Sequence, residues 1–585
     1  MSIKNLGKGL TLLASLILVG CGSGGGTPPA TITSFELLDP TPGAGDNFGR
    51  WVTILSNGNI VVSDPNDSTI AVDNGAVHLY SPISRSLIAS IYGDSANDRL
   101  GFINNSTSGV VGLANGNYVI ASARDNVGSI IEAGSVRLMD GTTGTQIGSP
   151  ITGDRKNDLL GFDGITALAN SNFVIASSFD NEGGITNSGS VRFVNGSTGI
   201  QIGSAIVGDQ ANDRLGSDGT TALTNNNYVI ASSQDDFGVR INAGSVILVN
   251  GSNGDKIGDA IVGDLANDQL GFDGTTALTN SNYTIASSLD TENGISNAGS
   301  VRLADGADGM QLGKIVGDNI SDRIGSGGTT ALPNANYVIA SPFDDVVVSG
   351  AIVSNAGSVQ LVDGADGTKP IVTPITGDNA DDELGSDGVT ALPHHYYVIA
   401  SSIDDEGGVL NAGSVRLVNG VTGIQISPPV VGDIPNDRLG SKGTTALPNG
   451  NFVIGSPNDT VGGIVAAGSV RLVDGLTSDE LGNAIVGATA SDSMGFDGTT
   501  ALANNSYVTV TRFEDVDGVV NSGSIRLVNG ATGNQIGNTI AGKVADDMNG
   551  AIVVGSSSGD YFVIGLGMAD NSGRIDSGFV YLIAE

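Results

Sequence analysis

Residues 208–263 read GDQANDRLGSDGTTALTNNNYVIASSQDDFGVRINAGSVILVNGSNGDKIGDAIVG, and the same text, lightly edited, recurs along almost the whole chain. Its landmark is the glycine that ends N-D-R-L-G, Gly216. Counterparts stand at Gly49, Gly101, Gly161, Gly271, Gly325, Gly385, Gly440, Gly495 and Gly550, at intervals of 52 to 60 residues. A fixed period in this range marks one supersecondary unit used many times, with neighbours sharing a continuous core. Within the quoted unit, four short apolar runs alternate with turns: residues 220–223, 228–232, 245–249 and 256–262. Each is β-branched or aliphatic and reads as a strand. Thr224-Asn225-Asn226-Asn227 is a tight polar turn between the first two runs, and N-G-S-N-G separates the last two. No segment shows helical periodicity.

Four antiparallel strands in about 50 residues, radially repeated, are the signature of a β-propeller blade. The expected fold is all-β: a single closed β-propeller of about ten four-stranded blades spanning residues 33–585. Ten exceeds the usual range of about four to eight blades. Two five-bladed rings are the alternative, although no linker breaks the period near residues 300–330. The ends favour closure. Residues 33–39, TSFELLD, match the fourth strand that precedes each N-D-x-L-G, and the last repeat stops in a third strand at residues 579–583. Pairing these two would close the circle and remove the free edges that invite aggregation.

Composition narrows the function classes. Glycine supplies 89 of 585 residues, yet at fixed places in the period, as turn residues do. The core must be built from Val, Ile, Leu and Ala, because aromatics are only 5% of the chain. A formal charge of −36 argues against nucleic acid and anionic membrane surfaces and suits cation binding or solubility. One cysteine excludes an intrachain disulfide. A monomer is expected.

Residues 1–21, MSIKNLGKGLTLLASLILVGC, open with Lys4 and Lys8, followed by an apolar run at residues 10–19. That run is too short to span a bilayer as a stable helix. The stretch Leu18-Val19-Gly20-Cys21 resembles the bacterial lipoprotein signal, whose cysteine is lipidated and becomes the new N-terminus. The resemblance implies a signal peptide at residues 1–20, lipidation of Cys21 and, with Gly22 following, sorting to the outer membrane, facing the periplasm or the cell surface. Residues 21–32 form a Gly/Ser/Pro tether with no apolar periodicity.

The repeat also resembles the FG-GAP family, which forms the propeller at the N-terminus of integrin α chains. Phe48-Gly49 preserves the FG element, and Ala340-Ser341-Pro342 and Gly455-Ser456-Pro457 stand where that family has G-A-P. In that family calcium sits in a D-x-D-x-D-G hairpin between the first two strands. Here that hairpin is T-N-N-N or similar, without aspartate, so the family's metal site does not carry over.

Three patterns could carry chemistry. The first is the acidic corner G-D-x-x-N-D-x-L-G, with Asp94 and Asp98, Asp154 and Asp158, Asp209 and Asp213, Asp264 and Asp268, and Asp433 and Asp437. Closely spaced carboxylates in a Gly-rich loop suit Ca²⁺, which takes six to eight oxygens. They suit equally well Asx-turns that cap a tight corner, which is the preferred reading. The second is the loop after strand two, with Asp180, Asp235, Asp236, Asp290, Asp344, Asp345, Asp404, Asp405, Asp459 and Asp515. A catalytic pair is singular and this one recurs, so it reads as structural. The third is an arginine in the third strand: Arg137, Arg192, Arg302, Arg416, Arg471 and Arg526. A buried guanidinium needs a carboxylate, and the loop aspartates are the obvious partners. An outer-edge arginine in solvent is the other reading.

Nucleophilic catalysis has little support, since His78, His394 and His395 are the only histidines and no H-E-x-x-H, P-loop or dinucleotide fingerprint occurs. The leading expectation is a non-enzymatic binding or scaffold lipoprotein of the cell envelope, with a protein or glycan ligand. The opposing expectation is a periplasmic or surface hydrolase or lyase. An irregular charged or aromatic cluster on one rim would favour the latter, and the long loop at residues 346–354 is the first place to look.

Overall fold

The computed structural model describes residues 33–104, 107–348, 350–571 and 573–584. Cys21, the signal at residues 1–20 and the tether at 21–32 lie outside the described residues. Among those described, no helix is long and apolar enough to cross a membrane.

Ten four-stranded antiparallel sheets follow one another along the chain. The blades run from residues 52 to 92, 110 to 152, 165 to 207, 220 to 262, 275 to 316, 329 to 376, 389 to 431, 444 to 486 and 499 to 541, and we number them 1 to 9. Blade 10 combines Ile552–Gly555, Tyr561–Leu566 and Phe579–Ala584 with the opening strand Thr33–Leu37. The first strand of every blade packs against the first strands of both neighbours, and that of blade 1 against that of blade 10. The chain is therefore one ring of ten, not two of five. The long loop of blade 6 adds only a small hairpin, Val346–Val348 with Ala351–Val353.

Each strand reads its place in the sheet. Second strands such as Tyr228–Ser232 are buried at every position, while fourth strands such as Lys256–Val262 are half exposed at the outer edge. The sheets bury both faces because each face meets another blade. Ten apolar clusters result, one per junction. Between blades 3 and 4, for example, Val174, Ala176, Val191 and Phe193 pack against Tyr228, Ile230 and Val249. At the ring's inner edge threonine hydroxyls join blade to blade: Thr166 to Thr220 at 2.6 Å, Thr221 to Thr275 at 2.7 Å and Thr445 to Thr499 at 2.6 Å.

Two glycines of the repeat have firm reasons. Gly216, the landmark, sits at φ +88, and a Cβ on it would come within 3.0 Å of Val191. Gly244, in A-G-S, lies so close to the next blade that a Cβ would stand 2.3 Å from the Leu270 amide nitrogen. The T-N-N-N hairpin is a clasp as well as a turn. Asn225 and Asn227 each donate a side-chain N–H to the Gly306 carbonyl of the next blade at 2.8 Å. The same pair of bonds recurs from Asn115 and Asn117 to Gly196 and from Asn449 and Asn451 to Gly530. In each case blade n grips blade n + 1.

Candidate functional site

The acidic corners have a clear geometry. Asn97, Asn157, Asn212, Asn267 and Asn436 adopt φ of 65 to 69, which asparagine tolerates. That turn aims the following aspartate inward. Asp98, Asp158, Asp213, Asp268 and Asp437 are all buried, whereas Asp94, Asp154, Asp209, Asp264 and Asp433 are exposed. Each buried carboxylate takes backbone N–H groups from two loops. Asp213 accepts from Gln210 at 2.6 Å and from Asp236 at 3.2 Å; Asp268 accepts from Leu265 at 2.5 Å and Thr291 at 3.2 Å. Asp98, Asp158 and Asp437 do the same with Ser95 and Asn126, Arg155 and Asn181, and Ile434 and Thr460. The corner thus ties the inter-blade turn to the loop after strand two. Burial pushes Asp98 up to about 6.

The third-strand arginines meet those loops. Arg192 Nη2 lies 3.0 Å from both Asp180 and Glu182, and Ser190 donates its hydroxyl to Asp180 at 2.5 Å. Arg302 reaches Asp290 at 3.1 Å, Arg416 reaches Asp404 and Glu406 at 2.8 Å, and Arg471 reaches Asp459 at 2.8 Å and Glu480 at 3.0 Å. Arg137 pairs with Asp125 at 3.4 Å and Arg526 with Glu514, one residue before Asp515. Six blades therefore carry an Asp or Glu, Ser and Arg triad. Blade 4 has Ile247 and blade 6 Gln360 at the arginine position, and there burial pushes Asp235 up to about 6 and Asp344 up to about 7. Blade 10 replaces the whole triad with Ala569, Phe579 and Tyr581.

One sector of the ring differs in kind. Just before their first strands, blades 3, 4, 5 and 7 carry Asp163, Asp218, Asp273 and Asp387. Each takes a backbone N–H at 2.5 Å, from Ser178, Ser233, Ser288 and Ser402. Blade 8 has Lys442 in that place. Together with Arg50 and Trp51 of blade 1, Phe496, Asp497 and Arg512 of blade 9 and residues 550–552 of blade 10, it lines a cleft of about 460 Å³ at the start of the first strands. Lys442 Nζ stands 4.1 Å from the Phe496 ring centre and Arg512 Cζ 5.0 Å from it. Arg512 is aimed by Asp497, to which Nε donates at 2.6 Å, and by Asn549 at 2.8 Å. Trp51 is anchored through its backbone N–H to Ser63 at 3.0 Å, and its indole N–H is buried without a hydrogen-bond partner. Sequence reasoning missed this cleft, because its residues come from four blades; the departure of Lys442 from the aspartate pattern was the one available signal.

The model of a family described as a repeat of unknown function (DUF5650) matches residues 112–149, 167–217, 222–272, 277–326, 331–386, 391–441 and 446–496. No curated protein matches the chain. Among solved structures, the computationally designed Ika8 protein is 12% identical over 70% of this chain and 93% of its own, with a TM-score of 0.33. BamB from Moraxella catarrhalis is 13% identical over 72% of this chain and 96% of its own, with a TM-score of 0.35.

Proposed function

The chain belongs to the family built from the repeat of unknown function DUF5650, and we propose that this member is a non-enzymatic binding scaffold whose ligand is an acidic sugar chain held at the cleft of blades 8, 9, 10 and 1. The observation that carries the reading is the convergence of Arg50, Lys442 and Arg512 with Trp51 and Phe496 in a chain of formal charge −36. Lys442 and Arg50 bring positive charge that attracts a carboxylate, the fork of Arg512 being engaged by Asp497, and an aromatic side chain such as Trp51 offers apolar surface to a sugar ring. Lys442, standing where blades 3, 4, 5, 7 and 9 have aspartate, turns a repelling position into an attracting one. The reading puts the scaffold in the cell envelope, held to the outer membrane through a lipid on Cys21 and facing the periplasm or the medium. The lipoprotein-like residues 1–21 and the FG-GAP-like wording at Phe48-Gly49 support that address and an adhesive role. A glycoside hydrolase would need a pair of carboxyl groups in the cleft. The lining offers one carboxylate, Asp497, and Arg512 holds it.

Trp51 is the only tryptophan, so its fluorescence reports on this cleft alone. Titration of the full chain with a hexuronate oligosaccharide should shift the emission, with the effect weakened by salt, absent for the neutral hexose counterpart and lost in Lys442→Asp. No shift at millimolar hexuronate would refute the acidic-ligand reading. Separately, Cys21→Ser should release the protein from the membrane fraction.

A further inference from the structure

Blade 1 departs from the triad of its neighbours at three places. Asp64 pairs with Ala76 and Val62 with His78. In blade 2 the corresponding pairs are Ser122 with Ser135 and Ile120 with Arg137. So Asp64 stands where the repeat has serine, Ala76 where a serine donates to the loop aspartate, and His78 where the repeat has arginine. Asp67 keeps the place of Asp125. Blade 1 has lost a permanent cation and gained an anion at one buried point.

Two more carboxylates arrive at that point from the segment that leads into the blade, Asp39 and Asp46. Donor atoms of Asp39, Asp64 and His78 lie within 4.8 Å of one another, and so do those of Asp46, Asp64 and Asp67. Asp64, Asp67 and His78 are 0% exposed and Asp46 5%. Asp67 is oriented by the Thr69 backbone N–H at 2.9 Å and the Thr41 hydroxyl at 2.8 Å, and Asp39 by the Thr41 N–H at 2.8 Å. His78 Nδ1 is held by the Ser90 hydroxyl at 2.9 Å, which leaves Nε2 facing Asp64 at 3.9 Å, beyond hydrogen-bond reach.

The decisive observation is separate from the crowding of acids. Both oxygens of fully buried Asp64, the second oxygen of Asp39 and Nε2 of His78 have no hydrogen-bond partner. None of the four carboxylates makes an ion pair with an arginine or lysine among the described residues, although the charge of Arg574 acts on Asp39 and Asp46 from farther off. A buried carboxylate with neither donor nor counter-charge is strongly destabilising. Burial pushes Asp39 and Asp46 up to about 6, Asp64 well above the carboxylate range and His78 down to about 4. With Nδ1 engaged by Ser90, Nε2 is the ring nitrogen open to a ligand.

We propose that blade 1 binds one divalent cation, centred on Asp64, with Asp46 and Asp67 on one side and Asp39 and His78 on the other. Oxygen donors in the majority select Ca²⁺, Mg²⁺ or Mn²⁺, and the single imidazole favours Mn²⁺ among them. In six other blades a guanidinium stands at the His78 position, and blades 4, 6 and 10, which have Ile247, Gln360 and Tyr581 there, carry Ser232, Ser341 and Leu566 in place of Asp64.

The test uses the full chain, stripped with chelator, dialysed, and then offered Mn²⁺, Ca²⁺, Mg²⁺ or Zn²⁺ at matched ionic strength. Bound metal is measured by elemental analysis and stability by melting. One ion per chain and a higher melting temperature are expected, with Mn²⁺ the most effective. Asp64→Asn should abolish both. A second variant, Asp64→Ser with Ala76→Ser and His78→Arg, rebuilds the triad of the other blades; it should fold and bind no ion. Absence of a stoichiometric ion, or binding that survives in either variant, would overturn the proposal.

Discussion

Phe35 on the opening strand lies opposite Leu582 on the last one, in antiparallel register with Leu37 opposite Val580. The tenth sheet is thus completed by segments from the two ends of the described chain, and Leu37, Val580 and Leu582 pack in the cluster joining blade 10 to blade 1. Deleting residues 33–39 strips a strand from that sheet and exposes its edge. We expect a lower melting temperature and self-association in light scattering. Unchanged melting with a monodisperse monomer would contradict closure by this strand.

The triads predict a non-additive result. Arg192→Ala leaves Asp180 buried with its counter-charge gone, which costs about 3–5 kcal/mol. Asp180→Ala combined with Arg192→Tyr copies what blade 10 carries at Ala569 and Tyr581, and should cost less than the single change. Denaturant midpoints of the two variants give the comparison, and equal or reversed losses would reject it.

Stability should rise as the medium is acidified from neutral. Burial raises Asp98, Asp163 and Asp235 to about 6 and Asp344 to about 7, from 3.8. The folded chain therefore binds more protons than the unfolded chain between those values, and its stability grows as pH falls through 7 and 6 towards 3.8. Melting between pH 8 and pH 5 should show the rise. Asp344→Asn should flatten its upper part; a flat or inverted profile in the parent protein would refute it.

Calcium at the corners is a separate matter from the ion of blade 1, so it is best measured in the Asp64→Asn background. Two backbone N–H groups already occupy each of Asp98, Asp158, Asp213, Asp268 and Asp437. We expect only a modest response that Mg²⁺ or monovalent salt reproduces. Specific filling of a corner would instead add about 2.7 kcal/mol at a hundredfold excess over the dissociation constant. A large Ca²⁺-selective rise, lost on mutating Asp209 with Asp213 and the equivalent pairs, would reverse that expectation.

The blade count, the four strands and the closing pair were legible because they rest on local facts: the period of Gly216, the β-branched runs and a stray fourth strand at residues 33–39. The asparagine clasps were not, since Asn225 meets Gly306 only when the next blade curves into place. Nor was the cleft, where closure brings Arg50 towards Arg512. The cation cluster was hidden for a third reason. Asp39 and Asp46 precede the first blade, and Asp64 and His78 look like noise until strand pairing shows which residues they replace.

The clasps all point the same way round, blades 1 to 6 and blade 8 each gripping the one after it. Geometrically the molecule behaves like a cyclic homodecamer whose subunits have been strung on one polypeptide. A true homo-oligomer would repeat every change at all of its positions, so a lysine introduced at one rim would appear at every rim. Covalent linkage lifts that restriction. A frame of buried corners, with threonine bridges and clasps at most of the junctions, holds the blades in place, leaving single blades free to specialise, as blade 8 does with Lys442 and blade 1 with His78.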